Sequence, residues 1–475
     1  MNAHIGMIGL GTMGRNLALN IADHEFSVCG YDKDVVQQQN FLLEGKGKPV
    51  SIATSLPDLV AQLKSPKVLM LLVPAGTIVN QVLNELAPLL QNGDVIIDGG
   101  NSYFMDTAKH YQDLQSSGLH YIGMGVSGGE EGARTGPSLM PGGNPESYEV
   151  IKPILEAIAA KSDEGPCVAL MGSSASGHYV KMVHNGIEYA IMQLITEIYD
   201  LLKNAGGYSN NELHDFFHEW RQSELQSFLA DITADIFTQK DVVTNKDLID
   251  VILDKARQKG TGMWTSQSAM ELNVPLSIID AAVTMRFLSS MKEERLEASK
   301  KINQQQKKSS SNINPQKLAE HCRQAMYFGQ AIAYGQGLQL LSIASVTYKY
   351  EVNLAEVLRV WKNGCIIRSV MLNDLRKVWL KDPAITNIIQ SPFFAEKFAE
   401  QRNDVVAIIN AATDHRLSLP CFSAALNYYD AYNRARLPAN LIQAQRDFFG
   451  AHLYERIDKT GRFHTEWNDT TKTEK

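Results

Sequence analysis

The sequence predicts an α/β domain with a parallel sheet over residues 1–175, a large all-α domain over 176–437 and a C-terminal tail over 438–475. Three observations carry that expectation. Short apolar runs alternate with helix-like segments through the first part, as parallel strands joined by crossover helices require. Helical periodicity then dominates from Tyr179 onward. The final stretch holds a short amphipathic piece followed by Gly, Arg, Thr and Asp, which needs something to pack on. A chain of 475 residues has room for about three domains, or for one large domain with an accessory one. Its 44% hydrophobic content supports a sizeable core and excludes bulk disorder.

The elements follow in order. Ile5-Gly6-Met7-Ile8 is an apolar run that leads into a glycine turn and a helix-like segment, 15–23. Further strands are expected at 26–31, 67–73 and 94–98. Beyond residue 176 the helical pattern recurs at 281–299, 318–345 and 354–375. Between the first two of these lies KKINQQQKKSSSNINP (300–315), polar, basic and low in complexity, which reads as a solvated loop.

Charge narrows the function. Forty-five Lys+Arg against 52 Asp+Glu leave a net charge of −7, which argues against a nucleic-acid partner despite the basic loop. A small anion bound locally stays compatible with that total. Five cysteines (Cys29, Cys167, Cys322, Cys365, Cys421), scattered and never spaced C-x-x-C, suit a reducing cytoplasm better than a disulfide framework or zinc site. The N-terminal apolar stretch is broken by Gly6, Gly9 and Gly11 and lacks a basic start, so no signal peptide is expected. No window of 18 uninterrupted apolar residues occurs, so no membrane partner is expected.

Gly9-Leu10-Gly11-Thr12-Met13-Gly14 is a G-x-G-x-x-G placed directly after a strand and opening a helix. Glycines there let the backbone turn tightly and approach a pyrophosphate, which then sits on the positive end of the helix. A lone fingerprint is weak, because structural turns also produce it. Here strand, turn, helix and second strand are in register, and Asp32 ends the second strand 23 residues after Gly9, so a Rossmann-type dinucleotide site is expected. A carboxylate at Asp32 accepts hydrogen bonds from the ribose hydroxyls and repels a 2′-phosphate, which favours NAD. The alternative is a solvated turn residue.

The most informative segment is 181–189. Lys181, His184, Asn185, Glu188 and Tyr189 fall at i, i+3, i+4, i+7 and i+8 and share one helix face. That face is polar, while Val180, Met182, Val183, Ile187, Ala190, Ile191 and Leu194 around it are apolar. An ordinary amphipathic helix with this face in water is one reading. A solvated face usually carries Glu/Lys pairs rather than gathered His, Asn and Tyr, so a buried helix with a polar seam facing a cavity fits better. Lys181 and Glu188 are about 10 Å apart along the axis, a separation at which a base and an acid can flank a small substrate. Two glycine-rich loops join the set: Asp98-Gly99-Gly100-Asn101-Ser102 at a strand's C-terminal end, and Gly125-Val126-Ser127-Gly128-Gly129-Glu130-Glu131-Gly132. Either alone is as compatible with a turn as with a site.

GVSGGEEGARTGPSLMPGG (125–143), HYVKMVHNGIEY (178–189), QKGTGMWT (258–265), NGCIIRSV (363–370) and LPANLIQAQRDFFGAHLYE (437–455) occur in order, and through them the chain resembles the decarboxylating 6-phosphogluconate dehydrogenases over nearly its whole length. The resemblance implies that Lys181 is the general base and Glu188 the general acid. Asn101, Ser127, Gly128, Gly129, His184, Asn185 and Tyr189 match substrate contacts, and Lys259, Thr261 and Arg286 match residues that hold the sugar phosphate. Arg446 and His452 match tail residues that reach the phosphate in a neighbouring subunit, which implies a homodimer with shared active sites. The coenzyme would lie against Gly9, Leu10, Gly11, Thr12, Met13, Gly14, Asp32, Lys33, Asp34, Val73, Pro74, Ala75 and Asn101.

The implied reaction needs no metal and belongs to the oxidative pentose phosphate pathway. 6-Phosphogluconate is oxidised at C3, the 3-keto acid loses C1 as CO2, and the enediol is protonated to ribulose 5-phosphate. NADP is the family's usual coenzyme. NADP-using members usually carry Asn-Arg-Thr where this chain has Asp32-Lys33-Asp34, a Lys at Pro74 and a Lys at Met263. Loss of the Arg removes the planar clamp for a 2′-phosphate, so NAD is expected to serve at least as well. A non-decarboxylating NAD(P)-dependent β-hydroxyacid dehydrogenase shares the fingerprint and a similar Lys helix, but has no need of Lys259, Arg286, Arg446 or His452. A catalytically silent nucleotide sensor has no need of Lys181 and Glu188.

Overall fold

Seven strands build the sheet of the computed structural model, which describes residues 2–302 and 313–467. Most of the expected 300–315 loop therefore lies outside the described residues. Contacts divide the chain into two units, Met1–Leu426 and Asn427–Lys475.

In the first unit the strands are β1 (Ile5–Ile8), β2 (Val28–Tyr31), β3 (Val50–Ile52), β4 (Val68–Leu71), β5 (Val95–Asp98), β6 (His120–Ser127) and β7 (Ser138–Gly142). Their order is β3-β2-β1-β4-β5-β6-β7, parallel except for the β6–β7 pair. β1, β4 and β5 are buried throughout, which explains their continuous apolar runs. One face packs on Leu17, Phe41 and Ile154, the other on Leu59, Leu83 and Leu114. Because β1 lies between β2 and β4, the strand order reverses there, and a crevice opens at the carboxyl ends of β1 and β4.

The helices follow the periodicity with two corrections. The stretch 281–299 is interrupted at Met291, giving Ser277–Ser290 and Lys292–Ile302. Just beyond the break, Lys292 and Arg295 both pair with Asp254, which ties the second helix to the 254–257 segment. The stretch 354–375 is likewise two helices, Leu354–Val360 and Met371–Lys381, with the expected helix abandoned between them. The Gly364 carbonyl accepts a hydrogen bond from Ser138 N–H of β7 at 3.0 Å. Gly364 has φ +69°, and a Cβ there would meet the Gly136 carbonyl oxygen at 2.7 Å. Contact with the sheet thus overrides local helical preference.

Ser176–Asn204, 29 residues long, packs on β6 and β7 and against the 34-residue helix Pro315–Tyr348. Near its C-terminal end the buried Glu197 accepts hydrogen bonds from the N–H groups of Cys421 and Phe422 at 2.9 and 3.1 Å. Burial nevertheless pushes its carboxyl from 4.5 up to about 7. The folded protein then retains a proton that the unfolded chain has released, so this group's contribution to stability falls as pH rises from about 4.5 to about 7. The shift corresponds to about 3 kcal/mol at most. Glu197→Gln cannot ionise, so its unfolding temperature is expected to decline less than the parent's between pH 5 and 8. A constant offset between the two thermal curves would count against this assignment.

In the second unit, helix Ala439–Gly450 is joined to a short antiparallel pair, Tyr454–Glu455 with Arg462–Phe463. Asp447 is fully buried and ties the two together. Its carboxylate accepts from the backbone N–H of Leu453 at 2.9 Å and of Thr465 at 3.1 Å, and from Trp467 Nε1 at 2.9 Å. On this helix Leu441, Ile442, Phe448 and Phe449 are more than half exposed. Among the described residues no helix is long and apolar enough to cross a membrane.

Candidate active site

The glycine loop lies at the crevice. Gly14 packs so closely that a Cβ would fall 1.9 Å from the Gly9 carbonyl oxygen, whereas a Cβ on Gly11 would meet nothing within 4 Å. The outer two glycines of Gly9-Leu10-Gly11-Thr12-Met13-Gly14 therefore close the turn, and the middle one faces open space. Helix Thr12–Asp23 starts here with no side-chain cap, which leaves its first N–H groups available to an anion. These residues fit the diphosphate of a dinucleotide. Asp32 is not a free solvated turn residue: its Oδ2 accepts from Leu10 N–H at 2.6 Å and its Oδ1 from Asp34 N–H at 2.9 Å. It fastens the second strand's end to the glycine loop. Asp34 caps helix Val35–Glu44 by accepting from Val36 N–H, while Lys33 is exposed and forms no ion pair among the described residues. Val73, Pro74 and Ala75 follow β4 on the same edge, half-buried to exposed.

The polar face of helix Ser176–Asn204 is enclosed. Lys181 is 7% exposed and His184 fully buried, with Glu188 at the lip. β6 comes so close that a Cβ on Gly125 would lie 2.4 Å from Lys181 Cβ. His184 stands between the two ionisable groups: its Nδ1 is 3.4 Å from Lys181 Nζ, 3.2 Å from Asn185 Oδ1 and 3.9 Å from Glu188 Oε2. On its other side Nε2 lies 3.3 Å from the hydroxyl of Ser127, and the ring meets Trp361 edge-on at 5.6 Å. Ser127 ends β6, followed by Gly128 and Gly129 with φ +123° and +64°.

Burial sets the protonation states. It lowers the Lys181 ammonium from its ordinary value, against the opposing pull of Glu188, and so favours a neutral amine. It raises the Glu188 carboxyl, against Lys181 and Arg286, and so favours the protonated acid. His184 is held well below its usual range by burial and then by Lys181, and is a neutral ring. An amine able to take a proton and a carboxyl able to give one thus flank one pocket.

At the far end of the seam Arg286 stacks on the Tyr189 ring, 4.5 Å from its centre. Its Nη1 donates to the Arg257 carbonyl at 3.0 Å. Thr261 is buried and opens helix Thr261–Glu271, and Lys259 just before it is exposed without an ion pair among the described residues. Thr265 Oγ1 donates to the Met182 carbonyl at 2.9 Å, fixing this helix to Ser176–Asn204. Arg446 and His452 belong to the second unit, where both are exposed. Asn101 is exposed on the turn after β5.

Several residues around the site escape sequence reasoning. Trp361 and Cys365 come from the interrupted helix, and Cys365 is pushed up to about 12 by burial, with Lys181 near enough to oppose the shift. His178 lies one turn before Lys181, and Asp98, Ser102 and Tyr121 lie under the Asn101 turn. Asp98 and Ser102 were visible in their motif as residue types, but their partners were not. Among the described residues no three His, Cys, Asp or Glu are grouped to hold a metal.

Known proteins match the chain over nearly its whole length. Residues 4–172 match the family described as the NAD binding domain of 6-phosphogluconate dehydrogenase, and 177–467 match its C-terminal domain. The NADP(+)-dependent, decarboxylating 6-phosphogluconate dehydrogenase of Bacillus subtilis is 48% identical over 463 residues, 98% of each chain. The decarboxylating 6-phosphogluconate dehydrogenase of Escherichia coli is 45% identical over 469 residues, 98% of this chain and 99% of that one. The solved structure of the Plasmodium falciparum 6-phosphogluconate dehydrogenase, described apo and with NADP+ or 6-phosphogluconate, superposes with a TM-score of 0.95 at 37% identity, covering 98% of this chain and all of that one.

Proposed function

The chain belongs to the 6-phosphogluconate dehydrogenase family, and from that premise we infer how its own residues carry out the oxidative decarboxylation of 6-phosphogluconate. It is a decarboxylating oxidoreductase that uses a nicotinamide dinucleotide. The observation that carries the assignment of roles is the buried Lys181–His184–Glu188 seam.

The Gly9–Gly14 loop and the uncapped start of helix Thr12–Asp23 would hold the coenzyme, which would supply the hydride acceptor for C3 of the substrate. Lys181 Nζ, entering neutral, takes the proton from the C3 hydroxyl. As an ammonium it then stabilises the oxyanion that develops on that oxygen when the C1 carboxylate leaves as CO2. Glu188 delivers a proton to the enediol carbon that lost CO2, C2 of the substrate, and yields ribulose 5-phosphate. His184, neutral and buried, orients the Lys181 amine and links it to Ser127. Asn101, Gly128, Gly129, Asn185 and Tyr189 hold the polyol and carboxylate, and Lys259, Thr261 and Arg286 hold the phosphate. The non-decarboxylating alternative loses ground because Lys259 and Arg286 stand ready for a distal anion.

Arg446 and His452 complete the phosphate site from a second copy of the chain. The exposed Leu441, Ile442, Phe448 and Phe449 support that role, since an apolar face on a short unit needs a covering surface. Homodimer formation with shared sites follows. A cytoplasmic setting fits the five free, buried cysteines. Residues 1–175, 176–437 and 438–475 then serve as coenzyme domain, substrate and dimer domain, and intersubunit tail.

For the coenzyme, Asp32 keeps a carboxylate on the glycine loop, where a 2′-phosphate would be repelled, and no Arg is present at 33 to compensate. NAD is therefore proposed to serve at least as well as NADP. One assay tests reaction and preference together: reduction of each coenzyme with 6-phosphogluconate, with trapped CO2 measured alongside. The expected result is CO2 equal to coenzyme reduced, and a kcat/KM for NAD equal to or above that for NADP. Reduction without CO2 would sink the decarboxylating mechanism. A strong NADP preference would show that the Lys33 ammonium outweighs Asp32 and Asp34.

A further inference from the structure

A set of buried polar side chains with no assigned role lies under the turn that follows β5. Asp98 is 1% exposed, yet it carries a carboxylate. Its Oδ1 accepts from Gly100 N–H at 3.0 Å, and its Oδ2 accepts from the hydroxyls of Ser102 at 2.6 Å and Tyr121 at 3.0 Å. The two held turn residues are the immediate neighbours of Asn101, one on each side. Asn101 itself is exposed and makes no side-chain hydrogen bond among the described residues. The backbone of the turn alone therefore sets where its amide points.

The same turn rests on the catalytic helix. His178 is buried beside the backbone of Asp98 and Gly100, and its Nδ1 is 2.7 Å from the Thr107 hydroxyl. It lies three residues, about one helical turn, before Lys181. A buried carboxylate must be compensated by donors, and any donors would satisfy that need. What distinguishes this set is its placement, closing on both flanks of one exposed side chain from a base shared with the Lys181 helix.

We propose that Asp98, through Ser102 and the Gly100 N–H, is a positioning residue that aims the Asn101 amide at the substrate and coenzyme. The proposal rests on the assignment of Asn101 as a contact residue made above. Misaligning such a contact by about 1 Å costs on the order of 10- to 100-fold in rate.

Neutralising Asp98 endangers the fold, so the test uses Ser102 and a double-mutant cycle with Asn101. kcat/KM for 6-phosphogluconate is measured for the parent, Ser102→Ala, Asn101→Ala, the double variant, and Ser102→Thr, which keeps the hydroxyl. Ser102→Ala is expected to lose about 10-fold or more in the parent background but less than about twofold once Asn101 is already alanine. Ser102→Thr is expected to retain most of the activity. Equal fold-losses for Ser102→Ala in both backgrounds, or no loss in the parent, would overturn the proposal while leaving the role of Asn101 intact. An Asn101→Ala variant with full activity would instead overturn the contact role of Asn101, and the positioning role with it.

Discussion

Lys181→Met is expected to lower kcat by about 10²- to 10⁴-fold, the range for loss of a positioned general base, with coenzyme affinity retained. The methionine preserves length and apolar stem, so β6 still packs on the helix. The Nζ beside His184, at 3.4 Å, is lost and with it the proposed proton acceptor for the C3 hydroxyl. Stopped-flow coenzyme reduction and coenzyme titration separate the two effects. Near-parental kcat would transfer the base role to another group.

The same site makes a signed pH statement. With Lys181 as the proposed base, activity requires the neutral amine, and the rate is expected to fall on the acid side as Lys181 becomes protonated. Burial lowers its pKa and Glu188 opposes that shift. Glu188→Gln cannot carry the opposing charge that the ionised form of Glu188 supplies, so the acid limb of kcat/KM is expected to move to lower pH in the residual activity of that variant. An unmoved limb would mean that the two groups are not electrostatically linked. Because they titrate as a pair, the profile reports on both together.

The second large effect concerns the tail. Truncation after Pro438 is expected to raise the substrate KM sharply, and Arg446→Ala alone by about 10- to 100-fold, as befits a charge-assisted bond worth roughly 1.5–3 kcal/mol. kcat at saturating substrate should change much less for Arg446→Ala, since the phosphate lies far from the reacting carbons. Subunit mixing tests whether sites are shared. Lys181→Met and Arg446→Ala chains, each impaired alone at low substrate, are expected to recover activity when co-assembled, because one site then combines an intact Lys181 with an intact tail. Absence of complementation, with mixed dimers demonstrated, would place Arg446 on its own chain's site or on none.

Much of this molecule was legible from residue order alone, for identifiable reasons. The Gly9–Gly14 fingerprint and the 181–189 seam are local, and backbone periodicity brings their members together without help from the rest of the chain. The helix breaks at 361–370 and at Met291 were not legible. Both segments carry helical periodicity, and what interrupts them lies far away in sequence: β7 for Gly364, and Asp254 for the helix after Met291. The turn after β5 is intermediate. Its motif placed Asn101 in a glycine-rich segment at a strand's C-terminal end, but did not show that Asp98 holds both neighbours.

Residue spacing thus determined that a lysine and a glutamate share one helix face, and that a glycine loop opens a helix after a strand. Tertiary structure decided what those groups are chemically. A lysine on a helix in water is an ammonium and a glutamate a carboxylate; enclosure by β6, Trp361 and the neighbouring helices removes the water that favours those charges. The amine is thereby pushed towards its neutral form and the acid towards its protonated one. His184, one of five polar residues in the pattern, becomes the neutral bridge between them. Spacing is a property of the chain, but desolvation belongs only to the packed fold.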